Sequence, residues 1–101
     1  MSIKQLSRDA VLVGLANHRI EFENRYGITK MGIFGSFARD QGRDDSDIDV
    51  VVEMRDPDIL FMVHIKETLE KDFNRHVDVV RYRNKMNRHL KARIDREARY
   101  V

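Results

Sequence analysis

The sequence predicts an α/β (α+β) fold, in which a small mixed β-sheet is covered by helices mainly on one face. Three short apolar segments, at residues 28–34, 47–53 and 76–82, have the composition of β-strands. The segments that flank them repeat apolar residues at helical spacing, which gives the order α-β-(α)-β-α-β-α. Because 101 residues with 42% hydrophobic residues supply one core, we expect a single domain over residues 1–101.

The first predicted helix runs from Ser7 to Tyr26 and stops at Gly27, a residue type that commonly ends helices. Its N-cap is either Ser7 alone or Ser2 together with Gln5. Apolar residues recur on one face of this helix: Leu12, Leu15, Ala16, Phe22 and Tyr26.

A strand over residues 28–34 is predicted next, and it ends at Gly35. Phe37–Gln41 should form a short helix capped by Ser36, and residues 42–46 a loop. Residues 47–53 then form the most buried strand. Their nearly continuous apolar character suits a strand that is covered on both faces: Ile48, Val50, Val51 and Val52.

The second half contains two more helices around a third strand at residues 76–82. Asp56 is expected to cap the first of these helices, with Pro57 at its first position. The apolar face of this helix consists of Met62, Ile65, Leu69 and Phe73. Asn84 is expected to cap the final, basic helix, whose apolar residues are aligned at four-residue steps: Met86, Leu90 and Ile94.

Bulk composition argues against several classes of protein. Nineteen basic and 17 acidic residues leave a formal charge of +2, so nucleic acid is not favoured as a direct ligand. The absence of cysteine excludes disulfides and thiolate metal sites, and it fits a reducing compartment. The N-terminus has no signal-like segment, and the longest apolar runs, such as Ile59–Val63, are too short to span a bilayer. We therefore expect a cytoplasmic protein without membrane contact.

Two aspartates at the start of the buried strand are the strongest indication of chemistry. Asp47 and Asp49 are two residues apart, so their side chains should point to the same side of the strand. Neighbouring carboxylates in an apolar strand raise each other's pKa, and a divalent cation relieves that repulsion. Oxygen ligands without cysteine favour Mg²⁺ or Mn²⁺ over zinc.

Asp78 is the candidate third ligand, because it also interrupts an apolar strand. If that strand lies beside residues 47–53, three carboxylates converge and could hold two cations. One cation would activate an attacking hydroxyl and the other would bind a triphosphate. Asp78 could also draw the proton from the nucleophile. A solvent-facing position on an edge strand explains Asp78 equally well.

Gly35 and Ser36 form the candidate phosphate cradle. Glycine lets the backbone approach a phosphate closely, and the N–H groups at the start of the short helix, with the Ser36 hydroxyl, would accept the anion. Arg39 is one turn further and could reach the same phosphates. A glycine-serine turn can also simply begin a helix, and Arg39 could instead pair with the acids of the following loop: Asp40, Asp44 and Asp45.

The remaining charged residues have plainer interpretations. The four histidines show no ligand spacing, which favours surface or hydrogen-bonded positions: His18, His64, His76 and His89. The basic C-terminal helix can be a solvated face or a surface for a partner.

Residues 31–53 resemble the signature of the nucleotidyltransferase superfamily that includes DNA polymerase beta: Gly-Ser, a spacer, then Asp-x-Asp. Over essentially its whole length, the chain is similar to the minimal nucleotidyltransferases of that superfamily. The resemblance implies a polymerase-beta-like core, with metal-binding and catalytic roles for the three aspartates and a nucleotide-binding role for the turn: Asp47, Asp49, Asp78, Gly35, Ser36 and Arg39. Asp40 stands where the family usually has glycine.

The resemblance also implies a reaction and a partner. Minimal nucleotidyltransferases are commonly the antitoxins of all-helical HEPN ribonuclease toxins, and some transfer AMP from ATP to a toxin tyrosine. It therefore implies ATP as substrate, Mg²⁺ (two ions, with Mn²⁺ as a substitute) as cofactor, and a HEPN-type toxin as partner in a hetero-oligomer. Larger relatives carry extra domains for their substrates, and the shortness of this chain favours an acceptor that a partner protein supplies.

These observations lead to one main hypothesis and two alternatives. The main hypothesis is a Mg²⁺-dependent nucleotidyltransferase that moves AMP from ATP to a hydroxyl of a partner protein and so neutralises a HEPN toxin. The first alternative is a non-catalytic antitoxin that masks its partner by contact. The second is nucleotidyl transfer to a small molecule or to an RNA end.

Overall fold

The computed structural model describes residues 6–101 and contains five helices and four strands within that range. The helices are α1 (Arg8–Ala16), α2 (Arg19–Tyr26), α3 (Gly35–Ala38), α4 (Ile59–Phe73) and α5 (Arg88–Glu97). The strands are β1 (Ile28–Phe34), β2 (Ile48–Met54), β3 (Val77–Arg81) and β4 (Arg99–Tyr100). The predicted fold class is thereby confirmed.

The four strands form one mixed sheet in the order β3-β2-β1-β4. β1 pairs antiparallel with both β2 and β4, whereas β2 and β3 are parallel. In the parallel pair, Asp49 lies opposite Asp78. The condition for three converging acids, that the strands bearing them are neighbours, is therefore met.

The side chains of β2 enter two separate apolar clusters, one on each face of the sheet. Ile48, Val50 and Val52 join the larger cluster, which also contains buried residues of α1, α2 and α4. Val51 faces the other way and packs with Phe34 and with Ile94 of α5. All four apolar residues of β2 between positions 48 and 52 are 0% exposed. β2 is thus covered on both faces, as predicted, with most helices on one face and α5 on the other.

The prediction of one continuous helix from Ser7 to Tyr26 is wrong. Asn17 and His18 form a turn that divides it into α1 and α2. Ser7 caps α1 by accepting a hydrogen bond from the Ala10 N–H, whereas Ser2 and Gln5 lie outside the described residues. Gly27 ends α2 in the left-handed conformation, as predicted (φ 68°).

Three predicted helix starts are displaced in the structure. α3 begins at Gly35 after an N-cap residue, Phe34, that makes no side-chain cap bond, so Ser36 lies inside the helix. α4 begins after Asp58, whose carboxylate accepts a hydrogen bond from the Leu60 N–H. α5 begins after Asn87, whose side-chain oxygen accepts from the Leu90 N–H. In α4 and α5, a residue of the same type two or three positions further along the chain takes the capping role.

Strand β4 is an element that the sequence pattern did not predict. It has only two residues, and its register pairs Gly32 with Tyr100 and Ile33 with Arg99. The Val101 N–H extends this contact by donating to the Met31 carbonyl. These bonds hold the end of α5 against β1 and therefore near Gly35.

The cap of α4 allows a matched test of the helix start. Replacing Asp58 by alanine should lower the free energy of unfolding by about 1 kcal/mol, because the Leu60 N–H loses its acceptor. Replacing the exposed Asp56 by alanine should have little effect, since its carboxylate makes no hydrogen bond among the described residues. Urea unfolding of both variants checks this, and equal losses would place the cap elsewhere.

Within residues 6–101, no helix combines the length and the apolar character needed to cross a bilayer.

Candidate active site

The loop between α3 and β2 is fixed by a single arginine, Arg75. Its guanidinium donates to three backbone carbonyls, those of Arg43 at 2.5 Å, Asp44 at 3.1 Å and Ser46 at 3.0 Å. Ile48 adds a bond from its N–H to the His76 carbonyl, at 3.0 Å. The start of β2 is therefore anchored to the start of β3. The sequence pattern gave no sign of this role of Arg75.

Asp47 and Asp78 lie side by side, with His76 next to both. The His76 Nδ1 is 3.7 Å from a carboxylate oxygen of Asp47 and 3.8 Å from one of Asp78. Among the described residues, these three side chains form a group whose candidate ligand atoms lie within 4.8 Å of one another. Each is about half exposed. His76 is thus a surface residue, as predicted, but its place beside the acids was missed.

Asp49 is the most enclosed of the three aspartates. Burial raises the pKa of its carboxyl group, and the neighbouring charge of Asp78 raises it further. Asp47 acts in the same direction, whereas the guanidinium groups of Arg93 and Arg39 lower the pKa. Burial and repulsion between neighbouring carboxylates are the two causes that the sequence predicted for acids in an apolar strand. The opposing arginines were not predicted.

Gly35 packs directly against the Asp49 carboxylate. Its φ of 74° lies in the left-handed region, and a Cβ at this position would collide with Asp49 Oδ2. No L-amino acid with a side chain fits there without displacing the aspartate. Ser36 follows as the second residue of α3 and is partly exposed. The glycine-serine turn and the acid pair are therefore one connected unit.

Arg39 does not pair with the loop acids in this structure. Its Nη1 donates to Glu97 Oε2 at 2.9 Å, and its Nε donates to Gln41 at 3.4 Å. The other carboxylate oxygen of Glu97 accepts the Gly35 N–H at 3.3 Å. Thus Gly35 and Arg39, two of the predicted phosphate-binding residues, converge on one anion. Glu97 is 62 residues from Gly35 along the chain, so the local sequence pattern could not reveal this contact.

The donor set fits a divalent cation. Burial raises the pKa of Asp49 most, and the charges of Asp78 and Asp47 add to it; a bound cation would offset that repulsion. Carboxylate oxygens suit Mg²⁺ and Mn²⁺, whereas the imidazole of His76 is a donor more typical of transition metals. Asp47 and Asp78 are the exposed members that such an ion would reach first.

A known sequence family matches most of this chain. Residues 19–101 match the family described as polymerase beta, nucleotidyltransferase. The chain belongs to this nucleotidyltransferase family. One relative is the protein adenylyltransferase MntA of Thermococcus cleftensis. It is 34% identical over 67 residues, which cover 65% of this chain and 68% of that protein.

Solved structures of minimal nucleotidyltransferases share the fold. One, named as a minimal nucleotidyltransferase, superposes with a TM-score of 0.76 at 26% identity, covering 98% of this chain and 100% of that one. A toxin–antitoxin structure with AMP-PNP gives 0.68 at 20% identity, covering 83% and 69%. The complex of a tri-AMPylated Shewanella oneidensis HEPN toxin with its MNT antitoxin gives 0.67 at 16% identity, covering 92% and 70%. The predicted resemblance to minimal nucleotidyltransferases of HEPN/MNT pairs is confirmed.

Proposed function

We propose that this nucleotidyltransferase moves AMP from ATP to a hydroxyl group of a partner protein, with Mg²⁺ as cofactor, and that the partner is a HEPN-type toxin. The observation that carries the proposal is the direct contact between the glycine-serine turn and the acid cluster at Gly35 and Asp49. It would join the proposed phosphate site to the proposed cation site within one small surface. The AMP transfer and the toxin are suggested by what the related proteins and complexes are named for.

In the proposed site, Asp47, Asp49 and Asp78 hold the cations, with two Mg²⁺ ions expected and Mn²⁺ as a substitute. Gly35, Ser36 and Arg39 would bind the triphosphate; the Gly35 N–H and the Arg39 guanidinium already point at one carboxylate. When bound, the cations neutralise phosphate charge and lower the pKa of the attacking hydroxyl.

The reaction is an in-line displacement at the α-phosphorus of ATP. The acceptor oxygen forms a bond to the α-phosphorus as the bond from that phosphorus to the bridging oxygen breaks, and pyrophosphate leaves with both electrons of that bond. Asp78, half exposed at the edge of the site, accepts the hydroxyl proton in this scheme. Arg39 stabilises the negative charge that develops on the phosphates.

The acceptor should come from another protein. Apolar side chains at the start of α4 are exposed, with Ile59 at 78%, Leu60 at 63% and Val63 at 42%. A cluster of this kind is typical of a surface that contacts a partner. We place the pair in the cytoplasm as one hetero-oligomer, with residues 1–101 acting as one minimal catalytic domain.

Label transfer tests the proposed reaction. The chain is incubated with a purified HEPN-type toxin, Mg²⁺ and ATP labelled either at the α- or at the γ-phosphate. The expected result is stable label on the toxin from α-labelled ATP and none from γ-labelled ATP, since the γ-phosphate leaves in pyrophosphate. Label from the γ-position would indicate a kinase, and the absence of label from both would refute the reaction.

Masking by contact is the second candidate, and the exposed apolar residues of α4 favour it as well. A masking antitoxin neutralises its toxin without ATP. Toxin ribonuclease activity is therefore measured with the chain in buffer containing EDTA and no nucleotide. Full neutralisation under these conditions would favour masking over AMP transfer.

A further inference from the structure

The C-terminal helix α5 brings a second group of charged residues to the phosphate cradle. Glu97, its last residue, lies among three guanidinium groups. It is 2.9 Å from Arg39 and 3.8 Å from each of Arg93 and Arg96. Glu97 also accepts the Gly35 N–H at 3.3 Å. Three guanidinium groups and one backbone N–H therefore surround one carboxylate, and two of these groups, Arg39 and the Gly35 N–H, donate hydrogen bonds to it.

The position of Glu97 is unfavourable without those donors. Its side chain is only 10% exposed, and a carboxylate in the last turn of a helix is repelled by the helix dipole. The charge-assisted hydrogen bond from Arg39 and the nearby positive charges of Arg93 and Arg96 compensate for both costs. The Glu97 carboxylate thus occupies the place where phosphate oxygens would accept hydrogen bonds from the same donors.

The space beside Glu97 is large and basic. A groove of about 550 Å³ is lined by Arg8, Arg39, Arg96, Arg99 and Glu97, with two alanines. The guanidinium of Arg93 lies over the Phe34 ring, 5.8 Å from its centre, and Phe34 is the register partner of Asp49. The charge of Arg93 also lowers the pKa of Asp49, so Arg93 is near both Glu97 and the acid cluster.

We propose that Arg39, Arg93 and Arg96 form the binding cluster for the triphosphate of ATP, and that Glu97 fills this cluster until the triphosphate replaces it. The inference rests on the proposed function and deepens it, because it adds two arginines and an internal competitor to the nucleotide site. The contacts of Glu97 support both the assignment of the arginine cluster and the role of Glu97 as its competitor. The donors that hold the carboxylate are of the type that bind phosphate, and one of them is the Gly35 N–H of the predicted cradle.

The test measures binding of ATP, tripolyphosphate and adenosine to the whole chain by calorimetry in Mg²⁺ buffer. Glu97→Gln should bind ATP and tripolyphosphate about tenfold more tightly, because the competing charge is gone while an oxygen remains for the Gly35 N–H. Asp40→Asn is the matched control. It removes a negative charge next to Arg39 in the chain. The Asp40 carboxylate accepts the Arg8 backbone N–H but contacts none of the side chains of Arg39, Arg93 and Arg96, so the change should alter both affinities by less than about twofold.

Arg93→Gln should weaken the binding of ATP and of tripolyphosphate about tenfold and leave the binding of adenosine unchanged. Arg88→Gln removes an exposed arginine at the start of the same helix and should change the affinities for ATP and tripolyphosphate by less than about twofold. Circular dichroism of each variant verifies the fold. Unchanged or weaker tripolyphosphate binding by Glu97→Gln would overturn the inference and leave Glu97 as a structural ion pair, as would failure of every variant to bind tripolyphosphate.

The two proposals can fail separately. If the wild-type chain labels its partner but Glu97→Gln shows no gain in affinity, only the inference fails. If Glu97→Gln gains affinity for tripolyphosphate but the wild-type chain labels no partner, the proposed function fails and the anion site stands.

Discussion

Replacing Asp49 by asparagine should reduce AMP transfer by at least about a thousandfold, because cation-mediated stabilisation of the transition state is worth several kcal/mol.

The same change should stabilise the fold. In the wild type, burial and the charge of Asp78 raise the pKa of Asp49, so carrying the charge at neutral pH costs free energy. Asparagine keeps the shape without that charge, and we expect a higher free energy of unfolding, although solvent screening of this partly exposed group keeps the gain small.

The pH dependence provides an independent measurement of the same effect. Since the folded pKa of Asp49 is raised, the favourable contribution of protonation is complete at low pH and is lost as pH rises through the folded pKa. The stability advantage of Asp49→Asn should therefore be largest near neutral pH and should shrink in acid. Urea unfolding at several pH values, without divalent cations, measures it.

Asp45→Asn is the matched control for this experiment. Asp45 lies in the exposed loop before β2, and its side chain makes no hydrogen bond or ion pair among residues 6–101. Its replacement should leave transfer and stability nearly unchanged. Transfer by Asp49→Asn at the wild-type rate would remove Asp49 from the proposed site. Loss of stability in Asp49→Asn at neutral pH would show that the carboxylate makes favourable contacts instead.

The parts of the fold that were predictable are those that local pattern determines. The continuous apolar run of β2 predicted a strand covered on both faces, and Val50 and Val51 do enter different clusters. Helix starts were less predictable. Asp56 and Asp58, or Asn84 and Asn87, are equally good capping residues by type. Which of each pair caps depends on where packing against the sheet fixes the first turn, and that is a tertiary effect.

The break between α1 and α2 was hidden for a related reason. The apolar residues keep their face across it, with Leu15 and Phe22 both buried, so the periodicity reads as one helix. The turn is held by contacts of His18, which bonds to Glu21 and Asp72 and stacks on Phe22. Asp72 belongs to α4. A contact of that kind has no signature in the local sequence.

Some residues of the candidate site were likewise predictable from the local sequence, and others were not. Its acids and its glycine-serine turn were predictable because charged and flexible residues stand out against apolar strands. Glu97, Arg93 and His76 were not, because their role arises only when β3 and β4 join the sheet and bring distant residues to Gly35 and Asp49. The charged residues of α5 look like a solvated helix face in sequence, yet the Glu97 side chain is largely buried.

Replacing Gly35 by alanine should lower the free energy of unfolding by roughly 2–4 kcal/mol and reduce transfer by about a hundredfold or more. Two costs add. The φ of 74° is strained for alanine, and the new methyl group collides with the Asp49 carboxylate. The displaced aspartate and the shifted Gly35 N–H then disturb both halves of the site. Urea unfolding and the α-label transfer assay measure the two effects.

Two further variants separate the strain from the collision. Gly27 has a similar φ of 68°, but the nearest atom to a Cβ there is 3.8 Å away, so Gly27→Ala should show the backbone cost alone, roughly 1–2 kcal/mol. In an Asp49→Ala background, Gly35→Ala should lower the free energy of unfolding by only about as much as Gly27→Ala does, because the colliding oxygen is absent. If Gly35→Ala is equally destabilising with and without the Asp49 carboxylate, the two residues are not coupled. The turn and the acid cluster would then be separate features, and the observation that carries the proposed function would be lost.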